Sequence, residues 1–101
     1  LTTTLVGGSS AAALFTFDTA YQGANSFKLN YSIVRGDDFR TGTLWVVSTG
    51  ISLLNYMDDY VENTNCGITL TVTQAGSVVT VRYTATAGSN SQMGYQLSYQ
   101  N

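Results

Sequence analysis

The clearest pattern along the chain is an alternation of apolar side chains with largely polar ones in the segment 27–34, FKLNYSIV. Because successive side chains of a β-strand point to opposite faces, this alternation predicts a strand with one buried face and one wet face. The turn formers Gly36-Asp37-Asp38 follow, and the run TLWVV at 43–47 then starts a strand with apolar residues on both faces. We expect this hairpin to form the centre of the fold.

The same alternation recurs in the second half of the chain. Segments 66–73, 79–84 and 93–99 each carry apolar side chains at every second position. Turn formers separate them, QAGS at 74–77 and GSN at 88–90. These segments therefore predict three further strands, the first two of which form a hairpin.

The remaining segments carry weaker signals. Residues 1–10, rich in Thr, Gly and Ser, are expected to form a lead-in, either a connection or an edge strand. A strand is expected over 11–18, a loop over 19–26, a turn at Thr49-Gly50 followed by a short apolar strand over 51–56, and a long loop or single helical turn over 55–65. In the 11–18 strand, one face is expected to carry Ala13, Phe15 and Phe17 and the other Leu14 and Thr16.

Together these segments predict an all-β fold. Seven to eight short strands, turns at intervals of about ten residues and no convincing helix are typical of an antiparallel β-sandwich, here expected to be jelly-roll-like. The length of 101 residues suits one domain covering 1–101. The residues expected to face the core are Phe27, Leu29, Tyr31, Ile33, Leu44, Val46, Ile68, Leu70, Val72, Val79, Val81, Tyr83, Tyr95 and Leu97.

The register of the second central strand decides where Trp45 lies. If Leu44 and Val46 face the core, Trp45 and Val47 lie on the opposite face, where an isolated domain would expose an indole to water. Packing against a neighbouring subunit would remove this cost, and Trp is common at interface hot spots. The competing register places Trp45 in the core and Leu44 outside.

Composition narrows the classes of partner. Only 10% of residues are charged, against about 25% in typical soluble domains, and the net charge is −2. The chain thus lacks the basic footprint of a nucleic-acid binder, and no apolar run approaches the length of a membrane span. A nearly uncharged chain without proline also lacks the usual protection of strand edges, which favours a permanent assembly. The opening has no basic region, and its start at Leu1 indicates a processed or truncated segment of something longer.

Carboxylates are the first candidates for chemistry. The pairs Asp37-Asp38 and Asp58-Asp59 are adjacent in sequence, so on a strand each pair would point to opposite faces and would not form a catalytic dyad. No calcium-loop motif is present, although a weakly bound Ca²⁺ near Asp58, Asp59 and Glu62 is one reading. The alternative is that the carboxylates are solvated in turns, or pair with Arg35, Arg40 and Arg82.

Two other sequence features, the single cysteine and an Arg-Gly-Asp tripeptide, do not indicate a functional site. The single cysteine, Cys66, cannot form an intrachain disulfide, and without histidine it has no general base, so we expect a small buried hydrophobic residue. The tripeptide Arg35-Gly36-Asp37 spells an integrin-type motif at a turn, but three residues recur often by chance. No catalytic or cofactor-binding residue is predicted.

Aromatic residues are the stronger signal for binding. They make up 12% of the chain, and Tyr21, Tyr56, Tyr60 and Tyr99 fall near predicted loops. Tyrosine offers apolar area with a polar tip, so it can stack on sugars or on protein partners, or simply cap the core. The candidate residues for an interface or for ligand stacking are Trp45, Val47, Tyr56 and Tyr60.

A family resemblance rests on the strands and the motifs that link them. The succession YSIVRG at 31–36, RTGTL at 40–44, DDYVE at 58–62, GITL at 67–70 and VRYTAT at 81–86 resembles the small β-domains of tailed-bacteriophage virion proteins. Such domains occur in fibres, tailspikes and head or neck decorations. The resemblance covers residues 13–99 and implies a non-enzymatic β-sandwich, often at the end of a longer chain and in a symmetric oligomer, commonly a trimer.

We therefore expect a structural domain located in the virion, whose partners are copies of itself and other virion proteins. Binding of a host-surface glycan is an added role that this reading allows. The alternative is a carbohydrate-binding module of an enzyme or adhesin, in which Tyr and Trp side chains stack on sugar rings.

Overall fold

The computed structural model describes residues 1–18, 26–49 and 53–100, without the side chains of residues 49, 53 and 100. These ranges contain eight strands and no helix. The strands are β1 (Thr2–Leu5), β2 (Ala12–Asp18), β3 (Ser26–Arg35), β4 (Asp38–Thr49), β5 (Leu53–Glu62), β6 (Ile68–Ala75), β7 (Val78–Ala85) and β8 (Ser91–Gln100).

The strands form two antiparallel sheets of unequal size. The larger sheet has the order β1-β8-β3-β4-β5, and the smaller has the order β2-β7-β6. The predicted all-β antiparallel sandwich is confirmed. β1 pairs with β8 and β2 with β7, which is the nested pairing of a jelly roll, whereas β3, β4 and β5 run as a simple meander within one sheet.

The core lies between the two sheets and has the predicted composition. Leu29, Ile33, Leu44, Val79 and Val81 are fully buried. The other predicted core residues are also buried, apart from Tyr95 and Leu97, which are partly buried and pack against the core. Further buried residues that were not among the predicted core residues are Leu5, Phe17, Ala85 and Met93. Cys66, which was expected to be buried, is also in the core.

The central hairpin has the predicted register. β3 pairs with β4 along the whole length of β3, from Arg35 opposite Asp38 to Ser26 opposite Val47. The two strands are joined by a turn at Gly36-Asp37 in which Gly36 has a φ of 61°. Trp45 lies outside the core with 47% of its surface exposed, as expected from the burial of Leu44 and Val46. The competing register, with Trp45 in the core, is wrong.

The prediction of a long loop or helical turn over 55–65 is wrong. Strand β5 continues to Glu62 and pairs with β4 without interruption. The alternation was hidden because the inward positions of β5 hold polar side chains, Asp58 and Glu62, whose partners lie elsewhere in the chain.

The predicted faces of the 11–18 strand are also wrong in part. The pairing of β2 with β7 shifts register between Ala13 and Phe15. This bulge adds one residue and changes the phase of the strand, so that Ala13 is exposed while Leu14 and Phe15 both pack against the core. The loop predicted over 19–26, apart from Ser26 in β3, and the turn predicted at Gly50 lie outside the described residues.

Candidate interaction surface and the polar cluster behind it

The four predicted interface candidates lie on opposite faces of the larger sheet. Directly paired residues of neighbouring strands share a face, and Trp45 is opposite Met57 whereas Val46 is opposite Tyr56. Trp45 and Val47 therefore lie on the outer face with Met57. Tyr56 and Tyr60 lie on the inner side of β5, the edge strand, where they are 39% and 43% exposed.

The outer face carries a group of exposed apolar side chains, which we call the outer patch: Trp45, Val47 and Met57. They are 47%, 44% and 59% exposed. A shallow groove of about 240 Å³ runs between them, and its polar lining comes from Ser26, Lys28 and Asn55. Lys28 Nζ lies 5.3 Å from the centroid of the Trp45 ring, so the only lysine of the chain covers part of the indole.

On the inner face, a buried arginine organises the polar side chains of β3, β4 and β5. The Arg40 guanidinium donates to the Tyr31 hydroxyl at 3.1 Å, to the backbone carbonyl of Ile68 and to the Asp58 carboxylate. The Tyr31 hydroxyl donates in turn to the other oxygen of Asp58, at 2.7 Å. Because each buried polar group has a partner, the three side chains form a closed network, which we call the Arg40 cluster.

An aromatic ring covers the Arg40 cluster. The Arg40 guanidinium carbon lies 3.5 Å from the centroid of the Tyr60 ring, which is the geometry of a cation–π contact. Gly42, which is opposite Tyr60 in the sheet, makes this approach possible. A Cβ atom at position 42 would lie 2.7 Å from Tyr60 Cβ and 2.5 Å from the Asp59 carbonyl oxygen, so no larger residue fits there without a backbone shift.

The cluster raises the pKa values of Tyr31 and Arg40. Burial, followed by the hydrogen bond to Asp58, raises the pKa of the Tyr31 hydroxyl well above its ordinary value. Burial alone would lower the pKa of Arg40, but its contacts with Tyr31 and Asp58 outweigh burial and leave that pKa raised. The cluster therefore holds a neutral phenol between a cation and a carboxylate.

The three carboxylates considered for calcium do not come together. Asp58 points inward and pairs with Arg40, whereas Asp59 is the next residue of the same strand and points to the outer face. Glu62 lies at the end of β5, within 3.5 Å of the Cys66 thiol. Within residues 1–18, 26–49 and 53–100, no group of three or more Cys, Asp or Glu side chains is placed to hold a metal ion.

Arg35 does not belong to an exposed adhesion motif. Its side chain is only 9% exposed and donates to the carbonyls of Ser89, Cys66 and Thr86 and to the Thr86 hydroxyl, at 2.7 to 3.0 Å. An integrin-type role for Arg35-Gly36-Asp37, which the sequence did not favour, does not fit a buried arginine. Its role is to fasten the end of β3 to the segments around Cys66 and Thr86, which no sequence signal predicted.

Cys66 is buried as expected, with 2% of its surface exposed. Burial raises the pKa of its thiol, and the nearby Glu62 carboxylate adds to the effect. A neutral thiol is a poor nucleophile, so this environment suits a packing residue.

Comparisons with protein-family models, with curated proteins and with solved structures give no match. In the part of the chain that the structure describes, no helix is long and apolar enough to cross a membrane.

Proposed function

We propose that this domain is a non-catalytic structural domain of a bacteriophage virion, which assembles with further copies of itself through its larger sheet. The observation that carries the proposal is the outer patch. An indole, a β-branched side chain and a thioether lie together on one sheet face, each more than 40% exposed. Exposed apolar groups that are contiguous on a folded surface mark interaction sites more often than scattered ones do.

Three further features support a non-catalytic structural domain that assembles. The chain carries few charges, so little electrostatic repulsion opposes the approach of a second copy. The buried polar groups of the Arg40 cluster bind one another and cross-link strands, which is a stabilising role. The all-β sandwich also agrees with the fold implied by the resemblance to tailed-bacteriophage virion domains.

Trp45→Ala tests the proposal. We expect the unmodified protein to be an oligomer, with a mass in solution equal to that of two or more chains of 10.8 kDa each, measured by light scattering. The variant is expected to lose mass while its circular dichroism spectrum and cooperative melt are kept, because Trp45 lies outside the core. Val78→Ala is the matched control, since it removes an exposed apolar side chain from the smaller sheet.

The proposal fails if the unmodified protein is monomeric at all concentrations, or if Trp45→Ala and Val78→Ala have the same mass as the unmodified protein. A variant that keeps its mass but loses its cooperative melt would assign Trp45 to stability instead of assembly.

A carbohydrate-binding role is the second candidate, and the groove of the outer patch favours it. The exposed indole lies beside the Asn55 amide and the Ser26 hydroxyl, a combination that can stack on a sugar ring and bond its hydroxyl groups. Such binding would suit either host attachment by a virion or a module attached to an enzyme. A glycan array separates the candidates, because a purely structural domain gives no signal that depends on Trp45.

A further inference from the structure

Among the residues that the structure describes, strand β5 is an open edge of the larger sheet. It is paired on one side, with β4, over its whole length from Leu53 to Glu62. Natural proteins protect such edges with short strands, lysine, proline or bulges. The sequence of β5, LLNYMDDYVE, contains no lysine or proline, and its pairing with β4 has no register shift. Charged side chains also protect edges, but the inward Asp58 of β5 is paired with Arg40 of the same chain. The edge is therefore a ready template for another strand.

The hydrogen-bonding pattern shows which residues face this edge. The Asn63 N–H donates to the Phe39 carbonyl at 3.2 Å, so the Phe39 and Asn63 positions form a hydrogen-bonded pair. Such pairs alternate along an antiparallel ladder, so the odd-numbered residues of β5 bond to β4. The backbone N–H and C=O groups directed to the free edge are those of Leu54, Tyr56, Asp58, Tyr60 and Glu62.

The smaller sheet covers the inner face of β5 only in part. Strand β6 is joined to β4 by the bond from Arg40 to the Ile68 carbonyl and by the 2.9 Å bond from Ser48 to Gln74. On β5, Leu54 packs against the core, but the inward Tyr56 and Tyr60 remain 39% and 43% exposed. Its outward Met57 and Val61 are 59% and 69% exposed, so apolar side chains flank the free edge on both faces.

We infer that β5 pairs antiparallel with β5 of a second copy of this chain, across a two-fold axis at Met57. This inference rests on the proposed assembly role and gives it a specific contact, in which Trp45 lies one strand away from the axis and beside Met57 on the outer face. A continuous sheet requires inward residues to pair with inward residues, so the axis must pass through a residue. Two positions of the axis, Met57 and Asp58, pair almost the full length of both strands.

Charge decides between these two positions. An axis at Asp58 would place the two Asp58 residues directly opposite each other, and like charges in that position are destabilising. An axis at Met57 places Met57 opposite Met57, Asn55 opposite Asp59, and Tyr56 opposite Asp58. Amide and phenol donors then face carboxylates, and the two outer patches become neighbours. The larger sheets of the two copies would form one continuous sheet.

Charge substitutions at Met57 test the axis. Met57 would lie opposite Met57 of the second copy, so in Met57→Lys or in Met57→Glu two like charges would meet across the axis. Each variant should therefore have the mass of a single chain by sedimentation. An equimolar mixture of the two variants should recover the mass of the dimer, because opposite charges then meet. Val34→Lys and Val34→Glu are the matched controls, since Val34 is also exposed on the outer face but lies on β3, away from the edge. The controls should keep the dimer mass.

Circular dichroism of each variant shows whether it is folded, and Tyr56→Pro provides a second test if a Met57 variant is not. The Tyr56 N–H points to the free edge, so proline there removes a donor to the second copy without removing a bond to β4. We expect a folded variant with the mass of a single chain, and a folded variant that remains dimeric would overturn the inference.

The remaining outcomes separate the contact from the function. If the unmodified protein has the mass of a trimer, the β5 contact is overturned and the proposed assembly role stands. The same conclusion follows if the Met57 variants have the same mass as the unmodified protein. A mixture of the two Met57 variants that stays monomeric would also overturn the contact. A monomeric unmodified protein would overturn both proposals.

Discussion

At the residue scale, the two buried arginines are held in different ways. Arg35 donates to three backbone carbonyls and one hydroxyl, whereas Arg40 is paired with a carboxylate and stacked beneath a ring. Carbonyl dipoles and a carboxylate both compensate a buried charge, but only the carboxylate leaves a net charge behind when it is removed. The Arg40 cluster is therefore the more sensitive of the two sites to substitution.

Asp58→Asn is expected to lower the free energy of unfolding by about 3 to 5 kcal/mol, because it leaves Arg40 buried without a counter-charge. Asp59→Asn is the matched control, because Asp59 is the next residue of the same strand and is exposed on the outer face of β5. We expect its free energy of unfolding to change by no more than about 0.5 kcal/mol. Urea denaturation measures both. Equal effects of the two variants would show that the ion pair is not a stabilising contact.

Alkaline pH is expected to destabilise the fold through Tyr31. Burial raises the pKa of this phenol above its ordinary value of 10.0, so the unfolded chain loses the proton first as pH rises. The native state then binds more protons than the unfolded state, and the free energy of unfolding falls with pH. This contribution is fully present below the pKa of an unfolded tyrosine and is lost as pH rises toward the native pKa.

Tyr31→Phe should therefore weaken the dependence of stability on pH above about pH 10, although it also removes two hydrogen bonds. Urea midpoints at several values between about pH 8 and about pH 11 give the slope. Tyr99→Phe is the control for loss of one phenol hydroxyl. Parallel curves for Tyr31→Phe and the unmodified protein would contradict the assignment.

At the scale of strands, apolar alternation predicts an element when its inner face is filled with apolar side chains. β6 is such a case, because Ile68, Leu70 and Val72 alternate with threonines and are all buried. β5 is the opposite case, because its inner positions hold Asp58 and Glu62. Only the register with β4 shows that Asp58 meets a buried arginine 18 residues away along the chain.

Leu70→Ala tests the register of β6. Leu70 is 3% exposed, so we expect the variant to lose about 2 to 5 kcal/mol of unfolding free energy through lost burial and the cavity left behind. Thr69→Ala, on the exposed side of the same strand, is the control and should change stability by less than about 0.5 kcal/mol. A loss under about 1 kcal/mol for Leu70→Ala would be incompatible with its place in the core.

At the scale of the whole molecule, the sequence predicted the number of strands and the inner faces of most of them, but not those of β2 and β5 and not the division of the strands between sheets. The inner faces of both sheets carry the same kinds of side chain, so alternation does not show that β3, β4 and β5 remain in one sheet. The unequal division follows from the meander. It leaves the inner face of β5 only partly covered. Tyr56 and Tyr60 were named as interface candidates because they fall near predicted loops, and alternation did not show which face of the sheet they occupy.

The pairing of β1 with β8 has a consequence for how fast the chain reaches its native state. Thr2 lies opposite Gly94, so the larger sheet is completed only when segments from the two ends of the domain meet. Contacts between residues so distant in sequence require loop closure before they contribute energy, and all-β sandwiches accordingly fold in milliseconds to seconds. We expect refolding in this slow range, measured by stopped-flow circular dichroism. During that interval the open edge of β5 would be present before the sandwich is complete, so the yield of refolding should fall as protein concentration rises.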